Sequence, residues 1–564
     1  MSVSLEIFEG KLLPRVGIRD FLFTKYQFLV SYELMFVTLA PIDYLILLVF
    51  VGFMVVIGVL LKKSMNQSSD FLLAGRMIPA WITGIAFISA NISALELLGM
   101  SASGAEYGFL TFHFYYLGAI PGMIFLGIFM MPFYYSSKIR SVPEYLRYRF
   151  NRPAHLLNSL ITLLSLALGS GIYLYSLSLV FETMFGWNPH LSILFSAAIV
   201  LVYTYFGGLS SSIYTEVMQF FLTVLGLFPL VIIGLTRLGG WDGLMQKIPN
   251  SHKHMWHGLI NGQNELGWDL LSVTVGLGFV LSFSYWTCGF TEVQRAMAAK
   301  DYRAARRTPL IGAMFKLFLP FLTVIPGLIA LTEFSKEMNG EYNKSFIILL
   351  KNFYPSGMLG LGTTALLAAF MAGMSSSITA MNTIFTYDIY QTYIDPNRED
   401  KDYLKIGKLC TMIAVVFAIF ASYIAMQFEN IMNYIQLLFS FFSAPLISIF
   451  LLGMFWRRAS GWSAFYGMLL GTGTGLVHFL LYYLGILQYK SDMVSNFYGA
   501  IYSGLVCFLT MVIVSFIEKE DPSKDLRGLI YSDRDQSNPF WDPRILAWGV
   551  GLIVLLAGFN IVFA

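Results

Sequence analysis

Charged residues are scarce in this sequence, and cysteines are scarcer still. Only 12% of the 564 residues are Asp, Glu, Lys or Arg, whereas a soluble globular protein carries roughly 25%, so a soluble fold is excluded. The three cysteines lie far apart, which excludes a disulfide framework or a cysteine metal cluster. The net charge of +3 is small and its basic residues lie in loops, so no nucleic-acid partner is predicted.

The signatures of enzymes and of signalling modules are also missing. The seven histidines form no metal-ligand spacing such as HExxH, so no enzymatic activity is predicted. A membrane sensor needs an output domain, but the largest hydrophilic cytoplasmic segment, 518–544, is too short to bury a core. A channel is the nearer alternative to a carrier, and saturable, gradient-coupled uptake would separate the two.

Apolar runs, in contrast, are abundant. Hydrophobic residues make up 57% of the chain, and a helix needs about 20 largely apolar residues to cross a bilayer. The sequence therefore predicts an all-α polytopic membrane protein with about 14 transmembrane helices, which we place at 42–61, 80–104, 115–136, 155–183, 188–207, 210–236, 269–290, 309–332, 357–386, 405–426, 431–455, 461–484, 497–517 and 545–563.

Basic residues are dense in alternate loops, which predicts the orientation in the cell membrane. Lys and Arg collect in cytoplasmic loops, and here they follow the odd-numbered helices, for example Arg295 to Arg307 after the seventh. Both termini are therefore predicted outside. Residues 1–38 lack the apolar core of a signal peptide and are interpreted as an extracytoplasmic extension before a transporter domain at 39–564. An interfacial helix or a start codon assigned too early are the alternatives.

Three ionisable residues fall inside the predicted helices: Glu96, Glu216 and Lys316. An ionised side chain at the bilayer centre costs about 2.5–3.5 kcal/mol, so such residues are candidates for function. Glu216 has a simpler interpretation at the start of its helix, where the helix dipole stabilises a carboxylate, and Lys316 could extend to the headgroups. Glu96 lies mid-helix and reaches neither surface, so it needs a buried partner or a function.

Two of the apolar runs are interrupted by small and polar residues. "SANIS" at 89–93 interrupts the second helix, and "SFSYWTCGF" at 282–290 interrupts the seventh, five helices later. Transporters with inverted repeats bind solute and cations at the membrane midplane, where broken helices expose backbone carbonyls. The pattern predicts a translocation site between these two breaks.

Six segments, in order, resemble the sodium/solute symporter family, which includes the sodium–glucose cotransporters: "DFLLAGRMIPAW" (70–81), "ANISALELLGMSASG" (90–104), "VPEYLRYRF" (142–150), "YTYFGGLSS" (203–211), "EVQRAMAAK" (292–300) and "NTIFTYDIYQ" (382–391). The resemblance runs from about 42 to 563. It implies a leucine-transporter-type fold with two inverted repeats of five helices, at about 80–236 and 269–455, and flanking helices at 42–61, 461–484, 497–517 and 545–563.

The same resemblance implies alternating-access symport of a small polar organic solute, such as a sugar or related polyol. Sodium is the expected coupling ion, with the lipid bilayer as surroundings and no organic cofactor. Proton-coupled or uncoupled carriage by the same fold is the alternative. The residues matching the family's solute-binding positions are Asn91, Glu96, Tyr115, Ser282, Tyr285, Trp286, Lys316 and Gln436. Tyr115 replaces a sugar-binding carboxylate and Glu96 stands where Gln is common, so the solute is left open.

For sodium, the resemblance implies two positions. The first uses carbonyls of Ser89, Ile92 and Ala369, but Ala372 and Gly373 replace the family's serine pair. The second, one turn deeper, matches Glu216, Ser375 and Ser376, with Glu in place of the family's Asp. That carboxylate could instead bind a proton, and the serines could simply bond to carbonyls one turn back. Tyr285 with Trp286 is interpreted as an inner gate, with ordinary packing as the alternative.

Overall fold

The computed structural model describes residues 39–61, 76–261, 263–518, 525–531 and 542–564, which are mostly helical. The predicted extension at 1–38 lies outside the described residues. The main helices, in chain order, are α1 Pro41–Leu61, α2 Ala80–Asn91, α3 Leu95–Phe112, α4 Phe114–Ser136, α5 Val142–Arg149, α6 Arg152–Phe185, α7 Pro189–Leu238, α8 Gly240–Lys247, α9 Ser272–Cys288, α10 Phe290–Met297, α11 Tyr302–Met338, α12 Ser345–Phe353, α13 Met358–Ile394, α14 Asp400–Ala425, α15 Ile431–Phe442, α16 Ala444–Phe455, α17 Gly461–Tyr483, α18 Asp492–Ile517 and α19 Pro543–Val562.

Polar caps and glycine set the ends of the helices at the loops. The side chain of Asn151 accepts a hydrogen bond from the Ala154 amide at 2.9 Å at the start of α6, and Asp301 does the same for Ala304 at 2.8 Å at the start of α11. These bonds satisfy amides that have no partner within the helix. Gly186 ends α6 at φ 66°, a left-handed conformation that glycine adopts without strain.

Both predicted helix breaks are confirmed. The axis bends by 56° between α2 and α3 and by 44° between α9 and α10. A third bend, of 42°, separates α15 from α16, although the sequence predicts one helix over 431–455. Pro445 lies at the start of α16, and its missing amide and restricted neighbour favour a helix boundary there.

The structure is compatible with the predicted number of membrane spans but does not establish it. Within the described ranges, nine helices are long and apolar enough to cross a membrane, or up to twelve if each bent pair is one span. Pro41–Met54 and Pro189–Val202 are shorter apolar helices. The count of fourteen stays a prediction.

Helix α7 corrects the prediction of separate helices at 188–207 and 210–236, because helical structure runs from Pro189 to Leu238. This helix is nevertheless not straight. Ile199 and Leu367 line one cavity, and the Thr223 hydroxyl donates to the carbonyl of Ala365 at 3.4 Å. A straight helix would hold Ile199 and Thr223 about 36 Å apart, so α7 bends between them.

Close packing of α3 against α11 positions the ionisable residues. A Cβ atom at Gly104 would lie 2.6 Å from the carbonyl oxygen of Val324, and one at Gly327 would lie 2.0 Å from that of Ser101. Only glycine permits this backbone approach. The contact brings the first turns of α3, with Glu96, beside the part of α11 that carries Lys316.

Candidate functional site

The structure brings all eight residues predicted to bind solute into one cavity between the broken helices. The cavity has a volume of about 50 Å³ and is lined by Asn91, Glu96, Tyr115, Ser282, Tyr285, Trp286, Lys316 and Gln436, together with apolar side chains. One water needs ~10–15 Å³ on the same measure, so this conformation holds only a few water-sized molecules. The roles of the eight residues stay predictions.

A buried ion pair forms the polar centre of the cavity. The Lys316 ammonium donates to Glu96 and, at 2.5 Å, to the amide oxygen of Asn91. The Tyr115 hydroxyl donates to the other Glu96 oxygen at 2.7 Å. Lys316 is 1% exposed, so the interpretation in which it extends to the headgroups is wrong. Its ammonium lies 5.1 Å from the Trp286 ring centroid, within the range of a cation–π interaction.

A second hydrogen-bonded chain leads from this pair towards α10. The amide nitrogen of Asn91 donates to the Tyr285 hydroxyl at 3.2 Å, and that hydroxyl donates to Glu292. Asn91 therefore joins Lys316 to Tyr285, and Tyr285 joins the solute cavity to a carboxylate outside it. Sequence reasoning did not single out Glu292.

The residues of the second predicted cation position also lie together, and the Arg295 guanidinium lies among them. The Ser212 and Ser376 hydroxyls donate to one Glu216 oxygen at 2.5 and 2.9 Å, and Ser375 lies 3.1 Å from Ser212. Nη2 of Arg295 donates to the same Glu216 oxygen at 2.6 Å and to Ser376 at 2.7 Å, while its Nε lies 3.2 Å from the other Glu216 oxygen. Both side chains of this ion pair have no exposed surface.

One expectation about these charges is wrong, and the other stays a prediction. Glu216 is fully buried and lies in the first turns of the apolar span Ser212–Leu238 of α7. Arg295 is not a loop residue, because it lies in α10 and is also fully buried. The sequence does contain a signal for Arg295, because "EVQR" at 292–295 directly follows the predicted break at 282–290. An arginine on a short buried helix needs a carboxylate partner.

The residues of the first predicted sodium position lie at the first helix break and in α13, and their role stays a prediction. The Ser93 amide donates to the Asn91 carbonyl at 2.8 Å and so does not pair with the Ser89 carbonyl, its usual helical partner. The Ser89 hydroxyl donates to the Glu216 carbonyl at 2.6 Å, which links this position to the second one. Ile92 lies in the break, and Ala369 is buried in α13.

The packing around Gly373 leaves no space for a serine side chain at that position. A Cβ atom there would lie 2.5 Å from Cε1 of Tyr173 and 2.6 Å from Cβ of Ser93. The tyrosine ring therefore fills the space that a family serine side chain would take. The next hydroxyl groups along α13 are those of Ser375 and Ser376.

Broken helices, a buried polar cavity beside them and buried ion pairs define a secondary transporter of the inverted-repeat class. A model of the sodium:solute symporter family matches residues 71–471. The chain belongs to this family, and it is a multi-pass membrane protein that couples solute transport to sodium.

Curated relatives and solved structures agree with this assignment. The chain is 29% identical to the sodium/glucose cotransporter of Vibrio parahaemolyticus, over 76% of this chain and 83% of that protein. It is 27% identical to the sodium/myo-inositol cotransporter of Mus musculus, over 78% of this chain and 66% of that protein. A substrate-bound, outward-open Na⁺-coupled sialic acid symporter superposes with a TM-score of 0.73 at 20% identity, over 85% of this chain and 98% of that one. This likeness confirms the predicted leucine-transporter-type fold.

Proposed function

We propose that this symporter carries a small, uncharged, polyhydroxylated solute, a sugar or related polyol, in the cavity around Glu96 and Lys316. The observation that carries the proposal is the ion pair itself. Its two charges cancel, which favours an uncharged solute, and they offer hydroxyl groups both a strong acceptor and a strong donor. Asn91 and Gln436 add amides, and Trp286 adds an aromatic face. Curated relatives named for glucose and myo-inositol support the same class.

Solute binding requires this cavity to widen. Sites for small molecules usually measure about 300–1,000 Å³, whereas the cavity here measures about 50 Å³. The bends beside Asn91, Gly289 and Ser443 are the places at which the lining helices can move relative to their continuations. Opening at one membrane face at a time would give alternating access.

Sodium is proposed to bind at the oxygens of Glu216, Ser375 and Ser376. Carboxylate and hydroxyl oxygens are suitable ligands for a small hard cation. The carbonyls of Ser89, Ile92 and Ala369 are proposed as the neighbouring position, which lacks the hydroxyls that Ala372 and Gly373 replace. The buried hydrogen bond from the Ser89 hydroxyl to the Glu216 carbonyl would let occupation of one position affect the other.

The placement in the cell membrane is proposed with both termini outside, the repeats at about 80–236 and 269–455 and an extracytoplasmic segment at 1–38. The alternation of basic loops supports this orientation. An epitope added after Ala564 should be reached by an impermeant antibody on intact cells. Antibody access only after permeabilisation would contradict this orientation and place the C-terminus inside.

Uptake into proteoliposomes tests the proposed function. Radiolabelled glucose and myo-inositol are the first probes, each under an inward sodium gradient, an inward proton gradient or neither. We expect sodium-driven, saturable accumulation of at least one neutral polyol. Accumulation of an anionic or zwitterionic solute while every neutral polyol is ignored would overturn the proposed solute class. Accumulation driven by protons alone would overturn sodium as the driving ion.

A further inference from the structure

Glu292 is a buried carboxylate for which the proposed function has no role. It is 2% exposed, and its Oε1 accepts the Tyr285 hydroxyl. Its Oε2 is buried and has no hydrogen-bond partner among the described residues. A buried acceptor left without a donor costs free energy, so this oxygen is an exception that requires a reason.

Arg295 lies about one helical turn after Glu292 on the same helix. Residues three apart on a helix are neighbours on one face, with Cβ atoms about 5–6 Å apart, and Glu292 and Arg295 share α10. In the structure, however, the Arg295 guanidinium binds Glu216 through two nitrogens. One flexible cation therefore has two buried carboxylates within its range.

Sodium and the guanidinium require the same atoms. Nη2 of Arg295 contacts the Glu216 and Ser376 oxygens at 2.6 and 2.7 Å, which are two of the oxygens proposed for sodium. Two cations on one buried carboxylate oxygen would repel each other strongly in a medium of low dielectric constant. Sodium can bind fully at Glu216 only if the guanidinium leaves.

We propose that Glu292 receives the Arg295 guanidinium when sodium binds at Glu216. This inference rests on the proposed cation site. When ionised, the two carboxylates and the guanidinium carry one net negative charge, and sodium brings the set to neutrality. The exchange also reaches the solute cavity, because the carboxylate that would receive Arg295 is the partner of the Tyr285 hydroxyl, which binds Asn91.

Sodium affinities of purified variants in detergent test the exchange, measured by calorimetric titration in buffer balanced with choline. Glu292→Gln keeps the size of the side chain and an acceptor for Tyr285 but removes the charge, and we expect about tenfold weaker sodium binding. Arg295→Lys presents a point charge that cannot hold both Glu216 oxygens, and we expect tighter sodium binding than in the wild type. Glu333→Gln, at an exposed ion pair with Lys247, is the matched control and should leave sodium affinity unchanged.

The decisive comparison adds Glu292→Gln to Arg295→Gln. Without the guanidinium there is nothing for Glu292 to receive, so the second substitution should change sodium affinity by no more than about twofold. An equal loss in both backgrounds, or no loss in the wild-type background, would overturn the exchange. If Arg295→Gln does not fold, Arg295→Lys decides, and sodium binding no tighter than wild type overturns it. Failure of the cation site itself has a separate signature, which is wild-type sodium affinity in Glu216→Gln.

Discussion

The ion pair between Glu96 and Lys316 gives the sharpest test of the solute cavity, because stability and binding should respond differently to its removal. Its side chains are 5% and 2% exposed. Breaking such a pair by removing one partner leaves an uncompensated charge and costs about 3–5 kcal/mol. Replacing both partners by uncharged groups leaves no buried charge, and such replacements are often neutral. Glu96→Gln and Lys316→Met should each destabilise the protein, and the double variant should regain most of the loss.

The magnitude can be followed by thermal unfolding in detergent. With an unfolding entropy of about 2.1 cal/mol/K per residue, the 564 residues give roughly 1.2 kcal/mol/K, so each single substitution should lower the midpoint by about 2.5–4 °C. The exposed pair of Lys247 and Glu333 is the control, since exposed pairs contribute about 0–1 kcal/mol.

Solute affinity should not recover in the double variant. A hydrogen bond to a charged group contributes about 1.5–3 kcal/mol, which corresponds to about 10- to 150-fold in affinity. We expect this loss in both single variants and in the double variant, measured by equilibrium binding in saturating sodium. A double variant that is as stable as the wild type and binds solute with wild-type affinity would refute the reasoning, because the pair would then be only structural.

Three further predictions concern parts of the structure outside this pair. Arg149 donates to four backbone carbonyls at the end of α16 and in the following loop, so Arg149→Lys should lower the free energy of unfolding by about 1–3 kcal/mol, and an unchanged value would contradict this role. Gly373→Ser should destabilise the protein by about 1–3 kcal/mol through its clash with Tyr173, and Tyr173→Ala should relieve this cost in the double variant; an additive loss would contradict the clash. Burial acts to raise the pKa of Glu144, but hydrogen bonds and charge from Arg140 outweigh it and hold the pKa below its ordinary value. The ionised Glu144 therefore stabilises the fold fully above about pH 5, and this stabilisation is lost as the pH falls through the native pKa. Glu144→Gln should remove this part of the acid dependence of the unfolding midpoint.

The helix breaks were predictable because their cause is local. Small and polar residues at 89–93 and 282–290 interrupt apolar runs, and the structure bends at both places. The bend at Ser443 has a local cause too, in Pro445, but the surrounding run is so apolar that the sequence favoured one helix. In α7 the sequence predicts two helices, at 188–207 and 210–236, whereas helical structure continues from Pro189 to Leu238, because no proline separates the two apolar runs.

The buried pairs could not be predicted in the same way. Glu96 and Lys316 lie 220 residues apart, and Glu216 and Arg295 lie 79 apart, so only the fold determines which charges meet. Arg295 resembles a cytoplasmic loop residue because basic residues are dense after the seventh helix. In the sequence, Gly373 indicates that one of the family's serines is absent. Only the structure shows that the Tyr173 ring fills the space of that serine side chain.

The dependence of solute affinity on sodium concentration tests the central claim most directly, which is that sodium at Glu216 controls the cavity at Lys316. Coupling between two sites is reciprocal, so in the wild type we predict that the dissociation constant of the solute falls as sodium rises, and that the apparent sodium affinity increases with solute. In Glu216→Gln, solute should bind with the low affinity of the sodium-free protein at every sodium concentration. A variant that binds solute and keeps the full wild-type response to sodium would contradict the account.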